Sequence, residues 1–268
     1  KTIKFKSFSS GSCGNCYFLG LEEDGHTHGI LIDAGVSPRR LKKELFAEGL
    51  GLDCLDAILV THDHLDHIRS LGSYCKHLQK PVWSTKTLIG ALSGHFITGE
   101  HIGAFSRVLS EGWNQIGKDF MVRYFVVPHD ATQTVGYAIL ADGHRYVHIT
   151  DCGKMTEEAL DWCRQADTLV LESNYDCEML ACGPYPKELQ DRIRGGYGHL
   201  SNDECTAALK IVGHPGLRYV FLCHLSEHNN TPSLALKTAL AAFNGDSAPR
   251  IIPLPREHAS PVFTLTNE

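Results

Sequence analysis

Residues Thr61-His62-Asp63-His64-Leu65-Asp66-His67 follow directly on Leu55-Asp56-Ala57-Ile58-Leu59-Val60, and this junction decides how the rest of the chain reads. The apolar, β-branched run at 55–60 predicts a buried strand. Residues two apart on an extended segment point the same way, so His62 and His64 converge on one point. Asp66 and His67 fall at the turn into an expected helix over 68–78. With 16 histidines in the chain, a bare His-x-His would mean little. Four candidate ligands in six positions after a buried strand are different, because packing gives no reason to collect them there. They exceed the share one closed tetrahedral site would draw from a single segment, and they suit two metal ions side by side, each completed from elsewhere in the chain.

In this motif the chain resembles the metallo-β-lactamase-fold hydrolases. The pattern then requires distant ligands, and three strand ends offer them. A predicted strand over 120–127 runs into Pro128-His129-Asp130, one over 146–150 ends at Asp151-Cys152-Gly153, and one over 218–223 ends at His224. A carboxylate such as Asp151 has two oxygens and can serve two ions.

The remaining elements read as strands over 3–8 (half-buried, by its alternation), 17–21, 29–33, 81–83, 107–109, 134–141, 168–172 and 262–265. Ser37 caps a helix that Pro38 opens and Gly49 ends, Thr85 caps 86–92, and Thr156 caps 157–166. A helix is expected over 186–194. Ser201 and Glu204 predict a capping box opening 202–212, and Thr231-Pro232 opens a helix to 242. Residues 93–105 lack a period and read as loop, whose His95 and His101 could touch substrate or be plain surface, with surface favoured. Asp142-Gly143 predicts a tight turn. The expected architecture is one domain over residues 1–268, of mixed α/β (α+β) class, with two sheets face to face and helices outside. That matches the four-layer αββα sandwich which the resemblance implies.

Composition bounds the function. Hydrophobic residues make up 43% and mean hydropathy is -0.15, which suits a globular core. No apolar run approaches membrane-spanning length. Residues 1–5 carry no apolar signal region, so the expected location is the cytoplasm. Ten scattered cysteines lack a disulfide framework and read as reduced thiols, and Cys13-Gly14-Asn15-Cys16 reads as a turn rather than a redox pair. A net charge of -6 excludes a protein coated in positive charge, yet bound dications would still admit phosphate substrates. The available basic clusters are Arg39, Arg40, Lys42, Lys43, Lys187, Arg192 and Arg194.

Beyond the motif, the chain resembles the YycJ-type (WalJ, VicX) nucleases over 9–16, 31–35, 128–131, 150–153, 198–201 and 223–232. By that resemblance His62, His64 and His129 hold one ion, Asp66, His67 and His224 hold the second, and Asp151 bridges. Zinc or manganese is implied, with iron compatible. A hydroxide between the ions is the implied nucleophile, with Asp66 counted as catalytic. The segment Leu171-Glu172-Ser173-Asn174 resembles that of the tRNA-3′-processing enzymes, where the Glu orients a histidine. His199 is that histidine here, catalytic without being a ligand, and it precedes a helix start whose N–H groups favour a phosphate oxygen. His228 stands where an acidic or other polar residue is expected and is the weakest substrate-binding candidate. The implied activity is a DNA exonuclease (5′-to-3′, in a mismatch-repair-like role), with DNA ahead of RNA. Alternatives are an RNA-processing nuclease, a glyoxalase II-like thioesterase, or a non-catalytic metal-binding protein on the same fold.

Overall fold

A computed structural model describes residues 1–245 and 248–265. Fourteen strands form two sheets among the described residues. The first comprises β1 (Thr2–Gly11), β2 (Gly14–Glu23), β3 (His26–Ile32), β4 (Leu55–Leu59), β5 (Val82–Ser84), β6 (Ser106–Val108) and β14 (Phe263–Leu265), in the order β14-β1-β2-β3-β4-β5-β6. The second comprises β7 (Asn114–Ile116), β8 (Phe120–Val127), β9 (Thr134–Ala141), β10 (His144–Ile149), β11 (Thr168–Glu172), β12 (Tyr219–Cys223) and β13 (Arg250–Pro253), in the order β13-β12-β11-β10-β9-β8-β7. Each sheet joins three antiparallel pairings to three parallel ones. Parallel strands are covered on both faces, which is why 55–60 and 168–172 read as nearly unbroken apolar runs.

Three apolar clusters separate four layers. Phe5, Tyr17, Leu19, Ile30, Tyr137 and Phe221 lie between the sheets. Leu41, Leu45, Leu71, Tyr74 and Leu92 pack the outer face of the first sheet under α1 (Pro38–Ala47), α3 (Leu71–Leu78) and α4 (Lys86–Gly94), with the single turn α2 (Leu65–Ile68) before α3. Cys163, Cys205, Leu209 and Ala235 pack the outer face of the second under α6 (Glu157–Cys163), α9 (Asn202–Val212) and α10 (Pro232–Leu240). The short helices α5 (Gly99–Ile102), α7 (Cys177–Cys182) and α8 (Lys187–Arg194) complete the chain. This is the expected αββα arrangement. At about 25 cal/mol per Å² of apolar surface removed from water, these three seams are the main stabilising term.

Most caps stand where the sequence puts them. Ser37, Thr85, Thr156 and Thr231 each accept a backbone N–H three residues on. Ser201 and Glu204 form the reciprocal box. Asp142 and Gly143 take the positive φ of a tight hairpin turn.

Four expectations need correction. The helix over 68–78 breaks into α2 and α3, because Ala34 N–H donates to the His67 carbonyl (2.7 Å) and Ser70 N–H donates to Ala34 (3.0 Å), so the helical ladder is diverted. β1 is buried almost throughout rather than on one face, since β14 and β2 flank it. Its Lys6 is buried with its ammonium on Glu48 Oε1 (2.7 Å) and the Ser260 carbonyl (2.9 Å). Residues 93–105 hold α5. Finally β7, α7 and β13 are too short to show a period.

Candidate metal centre

Five segments meet where strands of both sheets end. The turn after β4 carries His62, His64, Asp66 and His67, and the segment after β8 carries His129. Asp151 follows β10, Glu172 ends β11, and His224 follows β12. Asp33, Asp151 and His224 all have left-handed backbone, with φ of 64°, 50° and 55°. Such conformations cost about 1–3 kcal/mol each for non-glycine residues, so tertiary contacts must hold them. Gly35 permits the closest approach: a Cβ there would stand 2.0 Å from the Asp66 carbonyl and 2.3 Å from Asn15 N.

The hydrogen bonds fix the tautomers. The Thr61 hydroxyl donates to Asp33 Oδ2 (2.7 Å), so it accepts from His62 Nδ1 (2.9 Å). His62 Nε2 therefore bears a lone pair, and it is buried with no hydrogen-bond partner. His129 Nδ1 donates to the Gly198 carbonyl (2.8 Å), leaving Nε2 bare. His64 Nε2 donates to the Asp130 carbonyl (3.1 Å), leaving Nδ1 bare and 3.3 Å from His129 Nε2. Three lone pairs thus converge, an arrangement that suits a cation. Two ligands at Zn–N lengths around a tetrahedral centre stand about 3.4 Å apart, close to the spacing seen.

The neighbouring group is equally oriented. His67 Nδ1 donates to Asp33 Oδ2 (2.6 Å), which turns Nε2 toward Asp151 Oδ2 (2.8 Å) and Asp66 Oδ2 (3.4 Å). His224 Nε2 lies 3.4 Å from Asp66 Oδ2 and 3.6 Å from Asp151 Oδ1. Asp151 lies between the two groups: Oδ1 is 3.6 Å from His129 Nε2, and Oδ2 is 3.9 Å from His62 Nε2. His62, His64 and His129 form one cluster of metal-holding geometry, and Asp66, His67 and His224 form another. All seven ligand candidates are therefore brought together.

Between protein groups alone, the electrostatics diverge. Burial, then the charge of His67, holds His62 well below the usual imidazole range. Burial also opposes charge on His224, but Asp151, Asp66 and Glu172 outweigh it and push its pKa up to about 10. Burial resists charge on Glu172 too, yet His199 and its hydrogen bond bring it down to about 2.

Glu172 is fully buried. Its Oε1 accepts from Cys152 N (3.1 Å) and Leu200 N (2.9 Å), and its Oε2 lies 2.8 Å from His199 Nδ1. Asp151, Glu172, His199 and His224 also form a cluster of metal-holding geometry, but Glu172 already uses both oxygens within the protein. The helix start beyond His199 differs from expectation. Its N–H groups are spent: Leu200 on Glu172, Ser201 on Glu204 (2.8 Å), Asn202 on the Tyr175 carbonyl (2.8 Å), and Glu204 on Ser201 Oγ (3.0 Å). Glu172 at the end of β11 and the Tyr175 carbonyl reach in from outside the helix, and the capping box takes the rest, so α9 offers no open anion cradle at those positions.

His228 is exposed and lines the same cavity of about 350 Å³ as His64, Asp66, His129, Asp151, His199 and His224. Of the basic clusters only Arg192 lines it, paired with Asp130. Arg40 instead donates to the Phe8 carbonyl (2.6 Å), and Lys187 pairs with Asp191 (2.8 Å). Neither His95 nor His101 lines this cavity.

Sequence reasoning missed three residues. Asp33 orients His67 and Thr61. Asn15 Nδ2 reaches Asp66 Oδ2 (3.1 Å), and Ser10 Oγ accepts from His224 N (3.0 Å). The signal for Asp33 was an acidic residue closing an apolar strand before Ala34-Gly35, and for the others a turn dense in polar residues.

The β-lactamase superfamily domain matches residues 28–225. The chain belongs to that superfamily. It is 30% identical to exodeoxyribonuclease YycJ of Bacillus anthracis, over 87% of this chain and 86% of that one. It is 29% identical to exodeoxyribonuclease WalJ of Streptococcus pneumoniae, over 88% and 86%. Among solved structures, the metallo-β-lactamase fold protein YhfI of Bacillus subtilis superposes with a TM-score of 0.70, at 18% identity, covering 98% of this chain and 100% of that one. The superfamily, the exodeoxyribonuclease relatives and the metallo-β-lactamase fold together make the chain a metallo-hydrolase. No helix among the described residues is long and apolar enough to cross a membrane.

Proposed function

We propose that this superfamily member is a metal-dependent nuclease with a dinuclear centre, and that it removes nucleotides from DNA ends. The observation that carries the reading is His199, which stands outside the two ligand clusters but faces the same cavity. Thioester hydrolysis has little use for a second imidazole held by a buried carboxylate. A phosphodiester, with charge on both the phosphate and the leaving oxygen, does. The likeness to two proteins named exodeoxyribonucleases, over 86% of each, supports the substrate class, with DNA ahead of RNA.

His62, His64 and His129 would hold one divalent ion, and Asp66, His67 and His224 the other, with Asp151 shared. Nitrogen and carboxylate donors without thiolate suit zinc or manganese and accept iron. When bound, such ions lower the pKa of water and neutralise phosphate charge. The chain's own groups do the rest. Thr61 and Asp33 hold His62 and His67 in the tautomers that present Nε2. Glu172 holds His199 by Nδ1, so when the ring is protonated its second proton sits on Nε2, from where it can pass to the leaving oxygen. Burial opposes charge on His199, but Glu172 outweighs it and favours the protonated ring. Asp66 contributes one oxygen between His67 and His224. We read residues 1–268 as one domain, and a reducing cytoplasm suits its ten free thiols.

The test is hydrolysis of end-labelled single- and double-stranded DNA and RNA with Mn²⁺ or Zn²⁺. Shortening of DNA from one end, abolished by chelator and restored by metal, is the expected result. Turnover of lactoylglutathione with nucleic acid untouched would overturn it.

A further inference from the structure

The cavity beside the ligand clusters has a second wall that hydrolysis itself does not require. Tyr185, Leu189 and Ile193 line it, four residues apart, together with His228. Leu189 and Ile193 share one face of α8, and Tyr185 leads into the helix one turn earlier. All three are only partly buried, while the residue α8 buries is Gln190. This reverses the usual helix pattern, in which the apolar stripe is turned to the core and polar residues to solvent. Leaving apolar side chains open to a water-filled cavity forfeits burial energy. A group entering the cavity would cover them.

Resting on the nuclease reading, we infer that this wall is a nucleobase subsite: Tyr185, Leu189, Ile193 and His228 hold the base of the nucleotide whose phosphate is cleaved. The lining carries groups for each part of a nucleotide. The phosphate belongs among the ligand clusters and His199. Arg192 lines the cavity too, its Nε on Asp130, and its other guanidinium nitrogens make no hydrogen bond among the described residues. They are available to the sugar-phosphate. For a planar, weakly polar body the lining offers two rings and two aliphatic side chains. The Tyr185 and His228 rings stand edge to face, with centroids 5.9 Å apart at 75°. A cavity of about 350 Å³ is at the small end of ligand sites, suited to one nucleotide rather than a run of them. Stacking and apolar contact are indifferent to base identity, as a general nuclease needs.

The test compares p-nitrophenyl esters of thymidine 5′-phosphate and thymidine 3′-phosphate with p-nitrophenyl methyl phosphate, which has the same leaving group and no base. One thymidine ester should exceed the methyl ester in kcat/KM by roughly tenfold or more. Tyr185→Ala and Leu189→Ala should each bring that ratio toward one, while Tyr185→Phe keeps it. Calorimetric titration with thymidine monophosphate and methyl phosphate should show the same loss of preference in binding, independently of turnover. A wild-type enzyme that cleaves these esters without preferring thymidine removes the subsite and leaves the nuclease reading standing. An unchanged ratio in both alanine variants also overturns the subsite. Failure to cleave any of the three esters overturns the nuclease reading and the subsite with it.

Discussion

His67 Nδ1 stands 2.6 Å from Asp33 Oδ2, and both side chains are fully buried. The carboxylate also receives the Thr61 backbone N–H (2.8 Å) and hydroxyl (2.7 Å), so one aspartate sets the orientation of His67 directly and of His62 through Thr61. Removing it frees two imidazoles, one from each ligand cluster. Asp33→Ala should therefore lower metal affinity by about 10- to 100-fold, the usual effect of deleting an orienting partner. Elemental analysis after dialysis should find about two ions per wild-type chain and fewer in the variant. Equal content in both would refute the role given to Asp33.

His199→Ala should retain metal and fold while kcat falls by about a hundredfold or more. His224→Ala should instead lose metal from one site. Glu172→Gln keeps the size of the side chain but can donate to His199 Nδ1, favouring the wrong tautomer. It should reproduce much of the His199→Ala defect without loss of metal. Near wild-type turnover in His199→Ala would show that the ring has been misassigned.

Gly35→Ala places a methyl against two backbone atoms of separate segments, the Asp66 carbonyl and Asn15 N. Neither can withdraw as a flexible side chain could. The cost should be about 1–3 kcal/mol. Calorimetry should show a clear drop in Tm, accompanied by weaker metal binding because the displaced residues border the site. Gly90→Ala, where a Cβ meets nothing within 4 Å, is the control.

Cysteine chemistry gives a test independent of the active site. Cys13, Cys177 and Cys182 are exposed, and the other seven thiols are buried. Burial raises Cys75 to about 11 and Cys54 to about 12, so they are thiols rather than thiolates at neutral pH. Iodoacetamide should label the native chain at the three exposed positions and all ten after unfolding. Rapid native labelling at Cys75 or Cys223 would contradict the packing described.

The sequence by itself determined the strands that deliver the site, because buried strands leave mostly apolar runs and each ends at a residue no core would choose. It determined the capping of most helices, since a cap is a local bond between a side chain and a backbone N–H three residues on. The seven candidate ligands were legible for the same reason: their residue types conflict with their apolar surroundings. Only the tertiary structure decided how they are held. Asp33, Asn15 and Ser10 act across 34, 51 and 214 positions of chain, and the local pattern around each does not say which distant group it will meet. The split of the motif helix likewise depends on two bonds to Ala34 from a distant loop. The same holds for the helix start near His199, which reads as open in sequence but is closed by Glu172 and Tyr175. Pairings of this kind form only when the two sheets pack, because each brings together groups that have no contact along the chain.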